Sequence, residues 1–366
     1  MNKKKLTWPK VILCVLGVLV AAVVLFFGVL TVTEYRPKDT EAMDINGEAT
    51  KTLHEGESFS ILSWNVGYFG LGQTSDFFMD GGESVRSASK DTVKDNIHSI
   101  TSDLKQENAD IIFLQEVDTS SKRAYHIDEL EAVTSKLQGY QHTFALNYKT
   151  LYVPYPWPTI GKVNAGIATL SKYEIGDSTR VSLPCPFKYP IRLANLKRCL
   201  MVDRIPIENS DKELVLVNLH LEAYDDGEGK AAQTAQLREL LESEAAKGNY
   251  VIAGGDFNQT FSNCDTSAYP LINDTMWKPG VIDVSEFSDN LQFIMDSSTP
   301  SCRSLDRPLY GNDSDPTKFQ YYMIDGFIVS DNIQINLAET KDYGFKNTDH
   351  NPIFMDVTLW PSATAN

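Results

Sequence analysis

Hydrophobic and polar positions divide the chain into an apolar N-terminal run and a long body in which strand and helix patterns alternate. Val11 to Leu30 carries no charged side chain. As a helix that run is about 30 Å long, the thickness of a bilayer hydrocarbon core. From Ser58 the pattern changes. Phe59 to Trp64 reads as a strand, and Val93, Ile97, Ile100 and Leu104 fall at helical spacing within 91–107. Ile111 to Leu114 is a buried-strand run, followed by a helix over 128–138 on Leu130, Val133 and Leu137. Strands are expected at 141–146, 165–170, 199–207 and 213–221. A helix rich in Ala, Gln, Leu and Glu is expected over 228–247, stopped by Gly248, then a strand from Tyr250 to Ala253. A loop-rich stretch reaches about 318, and strands resume at 321–329 and 352–359. This order predicts an α/β (α+β) four-layer sandwich, two packed mixed β-sheets flanked by helices and preceded by one transmembrane helix.

The flanks of the apolar run set its reading. Lys3, Lys4, Lys5 and Lys10 precede it, with Trp8 at an interfacial position. A cleaved signal peptide has an apolar core of about 7–15 residues and an A-x-A-like site. Here the exit is Leu30-Thr31-Val32-Thr33-Glu34-Tyr35, without that pattern. The expected organisation is a cytoplasmic basic N-terminus (1–10), a transmembrane anchor (11–30), a linker (31–57) and one large folded domain (58–362). The basic flank stays cytoplasmic by the positive-inside tendency, which places the domain outside a cell membrane crossed once.

Net charge is −16, and the first thirty residues hold four lysines and no acids, so the domain is more acidic than the whole. Sequence-independent capture of nucleic acid draws its affinity from Lys and Arg on phosphates. Nucleic acid is therefore the less favoured partner, and no obligate protein partner is evident. Four cysteines outside the anchor, Cys185, Cys199, Cys264 and Cys302, show no C-x-x-C spacing; one or two disulfides and scattered free thiols are both open. The run Tyr152-Val153-Pro154-Tyr155-Pro156-Trp157-Pro158 is unfit for a helix or central strand. Its aromatics suit a substrate mouth, a lipid contact or a packed loop.

Acidic, amide and imidazole side chains recur at strand ends: Asn65, Glu116, Asn218 and His220, Asp256 and Asn258, and Asp349 with His350. Singly, each is a turn former or a surface residue. Asp325, inside the apolar run Met323 to Val329, needs a partner for its carboxylate. Together they suit phosphate-ester hydrolysis. That reaction needs a hard cation on oxygen ligands, a base for water and an acid for the leaving alkoxide.

The segments Ser63-Trp64-Asn65-Val66, Leu114-Gln115-Glu116, Asn218-Leu219-His220-Leu221, Gly255-Asp256-Phe257-Asn258, Ile324-Asp325-Gly326-Phe327 and Thr348-Asp349-His350 resemble, in order, the signature of the endonuclease/exonuclease/phosphatase family. The likeness spans about 58–360, and 166–172 is similar to the strand before the family's central loop. The resemblance implies Mg²⁺ or Mn²⁺ on Glu116 with Asn65 and Asp349, and a phosphate-ester substrate. It implies a catalytic set of His220, Asp256, Asn258, Asp325 and His350. In that set Asp325 orients His350, which polarises water or phosphate; Asn258 orients the phosphate; and His220 binds a phosphoryl oxygen or acts as acid. How acid and base divide among His220, Asp256 and His350 differs across the family. Its deoxyribonucleases pair the first histidine with a glutamate on a middle strand, and no such glutamate is identified here. Asn218-x-His220-Leu221-Glu222-Ala223 is closer to the sphingomyelinase-type version, which tilts the expectation toward a lipid or small phosphodiester. The alternatives are a surface nuclease and a catalytically silent adhesin or scaffold.

Overall fold

The structure, a computed structural model, describes residues 8–225, 227–310 and 319–360. Lys3 to Lys5, residues 311–318 of the loop-rich stretch and positions 361–362 lie outside the described residues. Helix α1 (Trp8–Val32) contains the whole expected span, and its apolar window is not buried against the protein. It is long and apolar enough to cross a membrane.

The body is two seven-stranded mixed sheets packed face to face. In spatial order, one runs Thr40–Ala42, Asp177–Ser182, Cys199–Pro206, Glu213–His220, Tyr250–Asp256, Asp325–Ser330 and Leu291–Ile294. The other runs Ile333–Thr340, Ile353–Leu359, Ser58–Asn65, Ile111–Asp118, Gly161–Ser171, Gln141–Val153 and Asn46–Gly47. Strand alternation sorts the apolar side chains between layers. Phe59, Ile61, Ile111 and Phe113 meet Leu214, Leu216, Tyr250 and Ile252 between the sheets. Leu62, Trp64, Ile112 and Leu114 turn outward onto Val93, Ile97, Ile100 and Leu104 of α2 (Lys90–Glu107). Val215, Val217 and Val251 turn outward onto Leu237 and Leu241 of α4 (Glu228–Ala246). Each such side chain contributes about 1.5–3 kcal/mol on burial. Ser89 caps α2 by accepting from the Thr92 N–H at 3.0 Å.

Several expectations differ in detail. The segment read as a linker supplies a short edge strand to each sheet, Thr40–Ala42 and Asn46–Gly47. The helix expected over 128–138 is the six-residue α3 (Glu129–Thr134). The strand expected at 141–146 continues to Val153, and the strands Asp177–Ser182 and Ile333–Thr340, the latter at a sheet edge, were not anticipated. The five cysteines are free.

Candidate active site

Register brings the polar side chains together. On one sheet Asp256 lies opposite both His220 and Asp325, so three adjacent strands end in a row of functional groups. On the other sheet Asn65 pairs with Gln115. The next residue, Glu116, sits at φ +57° where the register slips between Leu114 and Val117. That bulge re-aims the Glu116 carboxylate without ending the strand. The turn before Ile353–Leu359 delivers Asp349 and His350, held by the Trp64 indole donating to the His350 carbonyl at 2.9 Å.

Two glycines are required by close approach. At Gly255 (φ +145°) a Cβ would sit 2.0 Å from the Leu219 carbonyl oxygen, so only glycine fits beside the His220 strand. At Gly67 (φ +51°) a Cβ would sit 2.7 Å from Asp349 Oδ1.

Glu116, His220, Asp256, Asn258, Asp349 and His350 line one cavity of about 260 Å³. Asn65 and Asp325 stand behind it, bonded to residues that do. Asn65 Nδ2 donates to Asp256 Oδ2 at 3.0 Å and to Glu116 Oε1 at 3.4 Å, while its Oδ1 accepts from the Gly67 N–H at 3.0 Å. Asp325 Oδ2 pairs with His350 Nδ1 at 2.8 Å. That leaves His350 Nε2 between Asp256 Oδ2 at 3.9 Å and Asp349 Oδ2 at 4.0 Å. His220 Nε2 lies 3.4 Å from Asp256 Oδ2, and its Nδ1 is buried without a hydrogen-bond partner among the described residues. The Asn258 N–H donates to Asp256 Oδ1 at 2.8 Å, and its side-chain amide donates to the Leu221 carbonyl at 2.9 Å. Asn218 belongs elsewhere: it accepts from Gln115 and donates to the Ala168 carbonyl, both at 2.8 Å, tying the sheets together.

Burial and crowded charge shift these groups. Burial, then the Asp325 charge, raises Asp256 to about 7. Glu116 is raised by burial and by Asp349, against the opposing pull of Arg123. Asp349 is raised by burial, against His350 and Arg303. For His350 burial works downward, but the Asp325 carboxylate, by charge and hydrogen bond, and then Asp349 outweigh it and hold the imidazole well above its usual value. His220 is pushed well below by burial, then by Arg198 and His350, and is neutral near pH 7. The result is one imidazolium facing several reluctant carboxylates.

Among the described residues three arginines line the cavity, Arg123, Arg198 and Arg303, none of them anticipated from the sequence. Arg123 forks onto Asp118 at 2.9 and 3.0 Å, stacks over Tyr68 and reaches Glu116 Oε2 at 3.9 Å. Arg198 pairs with Glu222 at 3.3 Å and donates to the His220 carbonyl at 3.0 Å. Arg123 lies in a short turn (Lys122–Ala124) and Arg198 one residue ahead of its strand, where neither periodicity nor motif marks them.

Metal fit turns on the donor atoms. Among the described residues two triads close within 4.8 Å, Cys302–Asp349–His350 and Asp256–Asp325–His350, and Glu116 is in neither. A hard cation takes oxygen rather than sulfur. The Cys302 thiol is raised to about 12, chiefly by burial, and is protonated. His350 Nδ1 is already engaged by Asp325. Glu116, partly buried, and Asp349, buried, are each opposed to ionising, and they are the carboxylates whose crowding a divalent cation would relieve.

Residues 62–277 match the Endonuclease/Exonuclease/phosphatase family. Among solved structures, an endonuclease/exonuclease/phosphatase from Beutenbergia cavernae DSM 12333 aligns with a TM-score of 0.55 at 16% identity, over 84% of this chain and 73% of that one. ANGEL2, a 2′,3′-cyclic phosphatase, aligns with a TM-score of 0.51 at 14% identity, over 87% and 98%. An endonuclease/exonuclease/phosphatase from Bacteroides vulgatus gives 0.50 at 13%, over 83% and 99%. Identities this low carry the fold and not the substrate. No curated protein matches the chain by sequence. The family match covers more than half of the chain, and the protein belongs to the endonuclease/exonuclease/phosphatase family, metal-dependent phosphoric ester hydrolases.

Proposed function

We propose that the chain is a membrane-anchored phosphodiesterase or phosphatase, tethered by α1 with its site outside the cytoplasm. The observation that carries the reading is the cavity shared by Glu116, Asp349, His350, Asp256 and His220. Glu116 and Asp349 would hold Mg²⁺ or Mn²⁺, which when bound neutralises charge growing on the phosphoryl oxygens. Asn65 could join only through the second lone pair of Oδ1; its amide nitrogen instead positions Glu116 and Asp256.

The chain's own groups divide the remaining work. His350, held as imidazolium by Asp325, presents Nε2 to an anionic phosphoryl group. Asp256, with a value near the working pH, is the proton carrier. Neutral His220 presents an imidazole nitrogen to a phosphoryl or leaving-group oxygen, and Asn258 orients the phosphate. Water's oxygen adds to phosphorus, the P–O bond to the leaving alcohol breaks, and the departing alkoxide takes up the proton.

The test is turnover of a chromogenic phosphodiester by the full chain in detergent with Mn²⁺ or Mg²⁺. Loss of turnover on chelation, and in both Glu116→Ala and His350→Ala, is expected. Metal-independent turnover, or activity untouched by both substitutions, overturns the assignment. Cleavage of plasmid DNA in preference to every other ester, steepening as salt falls, would favour the nuclease reading instead.

A further inference from the structure

Beside the polar floor and the arginines, much of the cavity wall is apolar, with Leu71, Phe77, Ile160, Phe187, Trp277 and Leu305. A phosphate and its attacking water do not need such walls, since one water's share of liquid volume is about 30 Å³. An ester with a large apolar group does.

The path from that cavity leads to the membrane helix. Phe77 packs on Phe78 (ring centroids 4.8 Å), and Phe78 on Tyr155 (6.0 Å). Tyr155 lies on the Pro-rich loop beside Trp157, and Tyr152 at the start of that loop packs edge-to-face on Phe26 of α1 at 6.2 Å. On the other side, Thr31 Oγ1 at the outer end of α1 is 3.5 Å from the Tyr189 hydroxyl, two residues after cavity-lining Phe187. Just beyond the helix Glu34 is clamped by Arg192 at 3.2 Å and Lys197 at 3.6 Å. The helix therefore does not leave the body on a free tether; its exit is fastened to the two loops that flank the cavity.

Those loops present apolar side chains that the described residues leave largely uncovered. Trp157 is 90% exposed, Tyr155 71%, Ile191 62% and Tyr189 55%. Trp and Tyr with a wet end and an apolar body are the side chains enriched at membrane interfaces. A helix long enough to span the bilayer, fixed at its outer end beside them, holds them at that level.

We propose that 151–158 and 189–191 form a bilayer-docking face, and that the cavity mouth beside it admits a phosphate ester of a membrane lipid. The lipid's apolar part lies along the Leu71–Phe77–Ile160 side and its phosphate reaches His350 and Glu116. Hydrolysis splits the lipid ester P–O bond with water and leaves an alcohol on one fragment and a phosphate on the other. Docking through aromatic burial does not depend on basic charge, so a zwitterionic surface suffices. The inference rests on the phosphoesterase reading above and adds the substrate's physical state.

The experiment uses the full chain in vesicles of phosphatidylcholine, phosphatidylglycerol, sphingomyelin and phosphatidic acid, with brominated phosphatidylcholine for quenching. The quenching difference between wild type and Trp157→Phe isolates Trp157 from the anchor's Trp8. Trp157 is expected to be quenched. A triple variant, Tyr155→Ser, Trp157→Ser and Tyr189→Ser, is expected to lose about tenfold or more in lipid hydrolysis, equivalent to about 1.4 kcal/mol. Its turnover of the soluble chromogenic ester should be unchanged. An unquenched Trp157, or a triple variant that hydrolyses vesicle lipid like wild type, overturns the docking face. Wild type that turns over the soluble ester but no lipid overturns the substrate class. Failure on both esters, with Trp157 quenched, overturns the phosphoesterase reading and with it the lipid substrate, while the docking face stands.

Discussion

Replacing Asp325 by Asn tests the link between burial, charge and rate most cleanly. The Asp325 carboxylate pairs with His350 Nδ1 at 2.8 Å, both side chains being buried. Asn keeps an acceptor oxygen there and removes the charge. A hydrogen bond to a charged group contributes about 1.5–3 kcal/mol and a neutral one about 0.5–1.5. The stability loss is therefore about 1–2 kcal/mol, too small to unfold a domain with about 5–15 kcal/mol in reserve. The rate should respond far more. With Asp325 neutral, burial dominates at His350 and its value falls. The imidazolium is then no longer the resting form, and turnover should drop about 10²–10⁴-fold, or about 2.7–5.4 kcal/mol of barrier. The assay is a pH–rate profile of the full chain on a chromogenic phosphodiester with Mn²⁺. It should show lower kcat and the His350 limb displaced toward acid. The double variant Asp325→Asn/His350→Ala should be no slower than the slower single variant, because one works through the other. Activity within about threefold of wild type, or losses that multiply in the double variant, would refute a shared role.

Two further outcomes follow from the same charges. Without metal, stability should fall as pH rises from about 6.5 to 8, read as the thermal midpoint. Asp256 and Asp80, both at about 7 and raised mainly by burial, hold protons in the fold that the unfolded chain has already lost. His350, also raised, loses its contribution in the same direction, while depressed His220 opposes the trend only below about 6.5. A rising midpoint would contradict the crowded-carboxylate account. Arg123→Met should cost about 3–5 kcal/mol in urea unfolding, because it leaves buried Asp118 without its fork. A loss below about 1 kcal/mol would show that Arg123 is not the partner that matters.

The polar row at the cavity floor was legible because its members sit at strand ends, where apolar runs give out at a polar side chain. Asp256 and His220 could each be placed at the end of a strand in this way, but that the two strands are neighbours emerged only in the fold. Asp325 betrayed itself as a carboxylate inside an apolar run. What could not be read was whatever depends on chain far away. Arg123 acquires its place only when the Lys122–Ala124 turn folds over Glu116. Ile333–Thr340 is an edge strand with most side chains partly or fully exposed, so burial leaves a weak mark on its sequence. Thr40–Ala42 and Asn46–Gly47 are too short to carry any periodicity. The apolar cavity walls come from at least five separate segments, and no local pattern assembles them.

Titration of the full chain with Mn²⁺, followed by electron paramagnetic resonance and thermal midpoint together, tests the central claim most directly. Wild type should bind one ion in the cavity and gain stability on binding, about 2.7 kcal/mol when free Mn²⁺ is about 100 times its dissociation constant. Glu116→Gln should be slightly more stable than wild type without metal, because one crowded carboxylate is gone, and should gain nothing from Mn²⁺. Binding and stabilisation undiminished in Glu116→Gln and in Asp349→Asn would contradict it.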